Sequence, residues 1–388
     1  MSDVTKTLTG THYLVKYSVG HQQAGARLDR FLMVRYKKRS REQIKRAIDS
    51  GAITITRPGY MNLGKMKPSM ELKYGDVVSV LSTRSREPDV NFDYQVLFED
   101  DDILVIIKPP NLPVHPAGKY FFNTLLVHLK TRGFTTEHNS EKDYYLVHRI
   151  DKETSGILLL AKTREACNRL TMQFRNRETD KYYLAIVHGT PKQEQFDVEV
   201  PIGKIKGSAI GLKMYCIPEE QGGLTAHTHF EKVETRENFT LLACFPRTGR
   251  QHQIRVHADH AGLPLVGDKL YGLPEKDCLV LLDYYTDLRE FVSQDADGDE
   301  VSEGEDGTPD ETPEATEEYT PPVKSERHLQ IEKDLLIPRH ALHAAGLRFK
   351  HPTTGEDMVF ESGLPDDLKA FFEGLSGRKL APFKTKHW

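Results

Sequence analysis

The sequence has few cysteines, a single tryptophan, no internal repeat and no apolar run longer than a strand. Cys167, Cys216, Cys244 and Cys278 are scattered, without a C-x-x-C pair. That spacing argues against a cysteine zinc site and against a disulfide framework, and it suits a reducing compartment. The closest histidine pairs are His227/His229, His257/His260 and His340/His343. No cysteine or carboxylate completes them into a recognisable ligand set, so neither metal nor cofactor is expected. The apolar stretches Ile103–Ile107 and Ile157–Ala161 are strand-sized and far short of a bilayer span, so no membrane partner is expected. The N-terminal MSDVTKTLTG lacks a basic-then-apolar signal, and a cytoplasmic protein is the expectation.

What is present is enough for two domains. The 388 residues exceed one ordinary domain, and 38% hydrophobic with 9% aromatic residues can fill real cores. The mean hydropathy of -0.53 points to a polar surface, an unstructured part, or both. The net charge of -4 conceals an asymmetry, because residues 295–318 hold twelve acidic side chains and no Lys or Arg. Without them the chain has 53 basic against 45 acidic residues, a net of +8. A basic body suits a protein that meets phosphates, although solvated faces also carry such charge.

Residues 1–25 read as an N-terminal extension and 26–82 as a compact unit. Leu28, Phe31 and Leu32 share one face of a first helix. Ser40 can cap a second helix whose apolar face is Ile44, Ala47 and Ile48 and which stops at Gly51. Strands follow at Ala52–Thr56 and, after a Gly75-Asp76 turn, at Val77–Leu81. Arg27, Arg41, Lys45 and Arg46 are candidate phosphate-binding residues of this unit; as helix charges they also serve solubility. Residues 83–94 read as a linker, 95–377 as a second domain and 378–388 as a basic tail. In the second domain short strands outnumber helices, with Tyr182–His188, Ala226–Val233 and Phe239–Phe245 the clearest and a helix at Gln251–Ala261. The class is therefore α+β. The Asp/Glu/Gly/Thr/Pro-rich segment, placed at 293–330, offers too little apolar area to offset ordering entropy and reads as a disordered insert.

Candidate chemistry centres on His148-Arg149-Ile150-Asp151-Lys152-Glu153-Thr154-Ser155-Gly156, one carboxylate among cations at the edge of a buried strand. Five more segments accompany it: Lys108 through Pro116, Lys181-Tyr182-Tyr183 through Val187, Thr248-Gly249-Arg250-Gln251-His252-Gln253-Ile254-Arg255 through His257, Gly267-Asp268-Lys269-Leu270-Tyr271-Gly272, and Leu342-His343-Ala344 through Pro352. In this order they resemble the RluA family of pseudouridine synthases. The helix, helix, strand, turn, strand order of 26–82 resembles the alpha-L RNA-binding domain of the ribosomal protein S4 type. Its usual V-N-G is replaced here by Ile55-Thr56-Arg57-Pro58-Gly59 and a longer loop.

The resemblance implies a mixed, mainly antiparallel catalytic sheet and isomerisation of uridine to pseudouridine in RNA, without cofactor or metal. It implies that Asp151 is the catalytic carboxylate, attacking sugar or base or assisting removal of a sugar proton. Arg255 would be its counter-ion and Tyr183 the ring that stacks on uracil, with Tyr182 in the core on the opposite face. Arg149 would enter the RNA helix beside the extruded nucleotide, and His148, Lys181, Arg250, His252 and Gln253 are further candidate RNA or substrate contacts. Scaffolding is the stronger reading for His252. The RNA-binding domain favours large-subunit ribosomal RNA, and transfer RNA is the other substrate class. A monomer is the simplest expectation. The competing readings are an inactive relative retained for ribosome assembly and a carboxylate nucleosidase. The first need not keep Asp151, Tyr183 and Arg255, and the second lacks an evident second carboxylate.

Overall fold

The computed structural model describes residues 4–8, 12–36, 40–61, 63–83, 87–117, 120, 122–132, 144–285, 324–383, 385 and 388. They divide into two units. The first holds the described residues of Met1–Asp89 and His115–Lys142, and the second those of Val90–Val114, Asp143–Glu300 and Pro321–Trp388.

In the first unit, strands β1 (Val4–Leu8), β2 (His12–Ser18), β3 (Ile53–Thr56) and β4 (Val77–Thr83) form an antiparallel sheet in the order β1-β2-β4-β3. Helices α1 (Leu28–Arg35) and α2 (Arg41–Asp49) supply Leu28, Phe31, Leu32, Ile44, Ala47 and Ile48 to one core. Ser40 caps α2 through a capping box: its hydroxyl accepts the Gln43 amide at 3.2 Å, and Gln43 Oε1 accepts the Ser40 amide at 2.7 Å. Gly51 then leaves the helix at φ 79°, as a left-handed cap requires. The described residues among 1–25 are not an external extension. Tyr13, Val15 and Tyr17 alternate inward along β2, a period-2 pattern that belongs to a half-buried strand. The linker 83–94 is also shorter than expected, because Thr83 ends β4 and Glu87 accepts the Phe122 and Asn123 amides at 2.8 and 2.6 Å. Phe122 and Val127 of the segment around α3 (Leu125–Arg132) belong to the same core.

The second unit is built on one large sheet. Its strands are β5 (Gln95–Glu99), β6 (Ile103–Lys108), β7 (Tyr145–Leu146), β8 (Ser155–Ala161), β9 (Asp180–His188), β10 (Gln195–Val198), β13 (Thr228–Arg236), β14 (Phe239–Pro246), β15 (Leu342–Lys350) and β16 (Asp357–Glu361), with β11 (Ile202–Gly203) and β12 (Tyr215–Cys216) as a separate hairpin. The main order is β10-β13-β14-β9-β15-β8-β6-β5. Every pairing in it is antiparallel except β15 with β8, where His343 faces Ser155 and Ala344 faces Gly156. With α4 (Arg164–Asn176), α5 (Gln253–His260), α6 (Glu275–Tyr285), α7 (Glu326–Asp334) and α8 (Asp366–Gly374), this is the α+β architecture that the strand-rich pattern predicts. Thr163 caps α4 by accepting the Ala166 amide at 3.1 Å.

Two boundaries change. Most of the segment assigned to a disordered insert lies outside the described residues, but Glu326–Gln330 begin α7, whose buried Ile331 packs with Leu281 of α6. The 378–388 segment is not a free tail. Leu380, Phe383 and Trp388 pack on the core of the sheet, and the buried Arg236 donates to the Arg378 and Lys379 carbonyls. Its three apolar side chains bury area that its basic residues obscure in a reading by charge.

Gly156 sits where the parallel step brings two backbones together. Its φ is 115°, and a Cβ there would lie 2.2 Å from the Ala344 carbonyl oxygen. Gly156→Ala is therefore expected to destabilise the protein by about 3 kcal/mol or more, against about 1 kcal/mol for Gly262→Ala. Gly262 also has positive φ, at 75°, but has nothing within 4 Å of the added methyl. Urea unfolding of the two variants measures the contrast, and equal losses would remove the close approach as its cause.

Candidate active site

Asp151 lies in the turn that enters β8, and the turn is fastened along its length. The Thr154 amide donates to the Asp151 carbonyl at 3.1 Å. The Thr154 hydroxyl bonds His340 Nε2 at 2.7 Å, and the Ser155 hydroxyl bonds His343 Nδ1 at 2.9 Å. Lys108 is fully buried and spends its ammonium on the Pro109 and Lys152 carbonyls at 2.7 and 3.0 Å. Burial pushes its pKa well down. These bonds hold the backbone, so the carboxylate position does not depend on a flexible loop.

Arg255 projects from α5 and meets two carboxylates. Its Nη1 donates to Asp151 Oδ2 at 2.9 Å, while Nε and Nη2 donate to Asp268 Oδ2 and Oδ1 at 2.7 and 2.8 Å. Asp268 is itself fixed, because its Oδ1 also accepts the Leu270 and Tyr271 amides at 2.9 and 3.2 Å. Gly267, at φ 74°, allows the turn to pass under the Arg339 carbonyl, 2.0 Å from where a Cβ would sit. The Tyr271 ring lies 5.0 Å from the Arg255 guanidinium carbon, in cation–π range.

The charge states follow from these neighbours. Burial opposes the charge on Arg255, but Asp268 and then Asp151 outweigh it and raise its pKa. Burial likewise opposes the Asp151 carboxylate; the surrounding positive charge wins and holds its pKa below the usual 3.8. His252 contributes to that field only when protonated. Burial, aided by Arg255, lowers its pKa to about 4, so at neutral pH Arg255 and Arg149 carry the effect. Tyr183 faces the same cleft, and burial together with Asp151 raises its pKa, keeping the phenol protonated. Tyr182 turns to the opposite face, 9% exposed, with its ring 4.7 Å from that of Trp388 and its pKa pushed up to about 12 by burial.

The cleft above Asp151 has a volume of about 860 Å³. Its lining gathers Arg149, Lys181, Arg250 and His252, together with Arg175, Arg177 and Arg247, which the motifs did not single out. Lys181 and Tyr183 reach it from alternate positions of β9. Arg250 also donates to the Thr225 carbonyl at 3.1 Å. Two of the expected contacts, Gln253 and His148, line the cleft and are also held by hydrogen bonds within the protein. Gln253 is 4% exposed; its Oε1 accepts from the Thr248 hydroxyl and the Arg250 amide, and its Nε2 donates to the His227 carbonyl and the Thr228 hydroxyl. His148 Nε2 accepts the Leu159 amide at 3.0 Å while its ring stacks on Phe174 at 4.7 Å, and burial lowers its pKa to about 3. In the first unit Arg27 pairs with Asp29 at 2.7 Å, and Arg41, Lys45 and Arg46 are exposed on α2.

Sequence reasoning did not assign a role to Asp268, Tyr271 or His343, although the segments containing them were recognised, nor to His340, which precedes the last of those segments. It also passed over one ligand-type group: Asp197, Glu199 and His227 have donor atoms within 4.8 Å of one another. There His227 Nε2 is hydrogen-bonded to Asp197 Oδ1 at 2.7 Å.

A carboxylate–guanidinium pair in a cation-lined cleft on a mixed sheet suits a polyanionic substrate. Residues 102–260 match the RNA pseudouridylate synthase family. The chain is 31% identical over 363 residues to ribosomal large subunit pseudouridine synthase C of Yersinia pestis, covering 91% of this chain and 92% of that one. It is 29% identical over 365 residues to the uncharacterized RNA pseudouridine synthase YlyB of Bacillus subtilis, covering 93% and 98%. Against ribosomal large subunit pseudouridine synthase D of Zymomonas mobilis it is 28% identical over 359 residues, covering 91% and 95%. The chain belongs to the RluA-type RNA pseudouridine synthases, and it is an isomerase acting on RNA. Among the described residues, no helix is long and apolar enough to cross a membrane.

With Asp151 depressed below 3.8 and His252 near 4, neither group changes charge around neutrality. The Asp151 charge is lost only as pH falls through its lowered pKa. Single-turnover pseudouridine formation is thus expected to stay flat from about pH 5.5 to pH 7.5. An inflection near pH 6.5 that disappears in His252→Gln would contradict the buried neutral imidazole.

Proposed function

We propose that the protein converts uridine to pseudouridine in large-subunit ribosomal RNA, as a cytoplasmic monomer, with Asp151 as the catalytic carboxylate. The observation that carries this reading is the 2.9 Å pair between Asp151 and a guanidinium already held by Asp268, below Tyr183 in the cationic cleft. In the reaction the N1–C1′ bond breaks, uracil turns, C5 joins C1′, N1 takes up a proton and C5 gives one up. Nothing is gained or lost overall, so one ionised carboxylate suffices, and hydrolysis with its second carboxylate is avoided by keeping water out.

Tyr183 offers the stacking face for the extruded uracil, and Arg149 at the cleft mouth offers a cation to the RNA around the vacated position. Extrusion costs a few kcal/mol, which stacking and phosphate contacts offset. The first unit is read as an S4-type RNA anchor: α2 buries Ile44, Ala47 and Ile48 and presents Arg41, Lys45 and Arg46 outward. The ribosomal RNA assignment is supported by relatives named as large-subunit synthases, which align over 91% of the chain, an extent that reaches into this unit.

Asp151→Asn is expected to lower pseudouridine formation by at least about a thousandfold while RNA affinity stays within a few-fold. Tritium release from [5-³H]uridine-labelled RNA of a deletion strain measures the first, and filter binding the second. Full activity would remove Asp151 from the mechanism, and pseudouridine confined to the transfer RNA fraction would move the substrate class. The triple variant Arg41→Glu, Lys45→Glu, Arg46→Glu is expected to weaken RNA binding about tenfold or more at 100 mM salt and to flatten the log–log salt dependence by roughly 2. An unchanged slope would show that α2 does not meet phosphates.

A further inference from the structure

Tyr271 is 2% exposed and its hydroxyl has two neighbours within hydrogen-bond distance: the Met214 amide, 3.0 Å away, and His252 Nδ1, 2.9 Å away. An amide N–H can only donate, so the Tyr271 oxygen accepts from Met214. The phenolic proton then needs an acceptor, and His252 Nδ1 is the one within reach. The opposite arrangement, with Nδ1–H donating to the phenol, would leave a buried hydroxyl proton unsatisfied. Burial raises the Tyr271 pKa, so the phenol keeps its proton. An imidazole that accepts at Nδ1 carries its own proton on Nε2. That nitrogen stands 4.0 Å from Asp151 Oδ2, on the cleft wall.

The backbone supports the same reading. His252 adopts φ 56° immediately before α5, an uncommon left-handed conformation for a residue with a side chain. Such conformations persist where the surroundings over-determine them, and they concentrate at functional sites. Here the left-handed turn puts the ring between Tyr271 and Asp151, edge-on to Tyr271 with ring planes at 83°. The other charged groups acting on His252 are Arg255, Asp268 and Arg149. Arg255 commits three of its five N–H donors to its two carboxylates and already touches Asp151, whereas His252 is a donor at this edge of Asp151 still separated from it by a gap. The 4.0 Å spacing exceeds a direct hydrogen bond and is closed by a small shift of either side chain or by a substrate oxygen lying between them.

We propose that His252 is a positioning residue for the isomerisation, offering an Nε2–H donor to the reacting edge of Asp151, and that Tyr271 acts through it by fixing the tautomer. The Gly267–Gly272 segment thereby orients both partners of the carboxylate: Asp268 holds Arg255, and Tyr271 holds His252. This rests on the reading of Asp151, but the tautomer can be measured without turnover and so stands or falls separately.

In full-length protein labelled with ¹⁵N-histidine, the His252 ring is expected to show a single neutral Nε2–H form near neutral pH. Tyr271→Phe, which keeps the ring against Arg255, should populate the other tautomer and lower the single-turnover rate by roughly 10-fold to 100-fold, with RNA affinity unchanged. His252→Gln retains an N–H donor and His252→Leu does not, while both carry the same backbone strain. The Gln variant is therefore expected to be at least about tenfold faster than the Leu variant at equal RNA affinity. A Gln variant as slow as the Leu variant, or an Nδ1–H form in the wild type, overturns the proposal. So does a Tyr271→Phe protein with wild-type rate and spectrum.

Discussion

A buried guanidinium sets the terms for the second unit. Arg255 is 5% exposed, and its charge is sustained by Asp268 and Asp151 together. Asp268 takes two of the donors of the fork, which fixes the plane of the guanidinium and leaves Nη1 aimed at Asp151. Removing one partner of such a group strands a buried charge, at about 3–5 kcal/mol. The arrangement is therefore more than an ion pair. Asp268 determines the direction in which Asp151 meets positive charge, and the amides of Leu270 and Tyr271 determine where Asp268 stands.

The same centre depends on distant parts of the chain meeting at one parallel step. β8 carries the Asp151 turn into the sheet, and β15, nearly two hundred residues later, lies beside it at Ser155 and Gly156. His340 and His343 come from that later segment and bond the Thr154 and Ser155 hydroxyls. Burial keeps both imidazoles neutral by lowering their pKa values, to about 3 for His343. A neutral imidazole can both donate and accept, which lets it join two uncharged partners, as His343 does between Ser155 and Ser362. The missing Cβ at Gly156 is what permits the approach.

Much of this was legible in the sequence where a residue type has one good physical use. The Ser40 cap and the buried runs of β6 and β8 follow from local rules, and the structure realises each. Asp151, Tyr183 and Arg255 were found through motifs, and the fold brings all three to one cleft. Asp268 was not, because an aspartate after glycine reads equally well as a turn residue; only the fold brings it to Arg255. Gln253 shows the converse: this polar residue of the motif lines the cleft and also makes four hydrogen bonds within the protein, which the sequence does not reveal. Tyr13, Val15 and Tyr17 carried a strand signal that a search starting at the first amphipathic helix passed over, and Trp388 was hidden in a segment read by its basic residues.

The charge states argue for isomerisation over cleavage. At neutral pH Asp151 is ionised, Tyr183 is a protonated phenol and His252 is uncharged. A hydrolase of the two-carboxylate type needs a second acid held protonated by an apolar pocket. Two carboxylates of the neighbouring motifs are committed elsewhere: Asp268 to Arg255, and Glu153 to Lys269. Of the cleft's carboxylates, Asp151 is the one held by a buried guanidinium, while Asp180 faces Arg348. A single carboxylate held ionised in this way matches isomerisation, in which a detached base returns to the sugar by another atom, and not a pair of carboxylates that activates water.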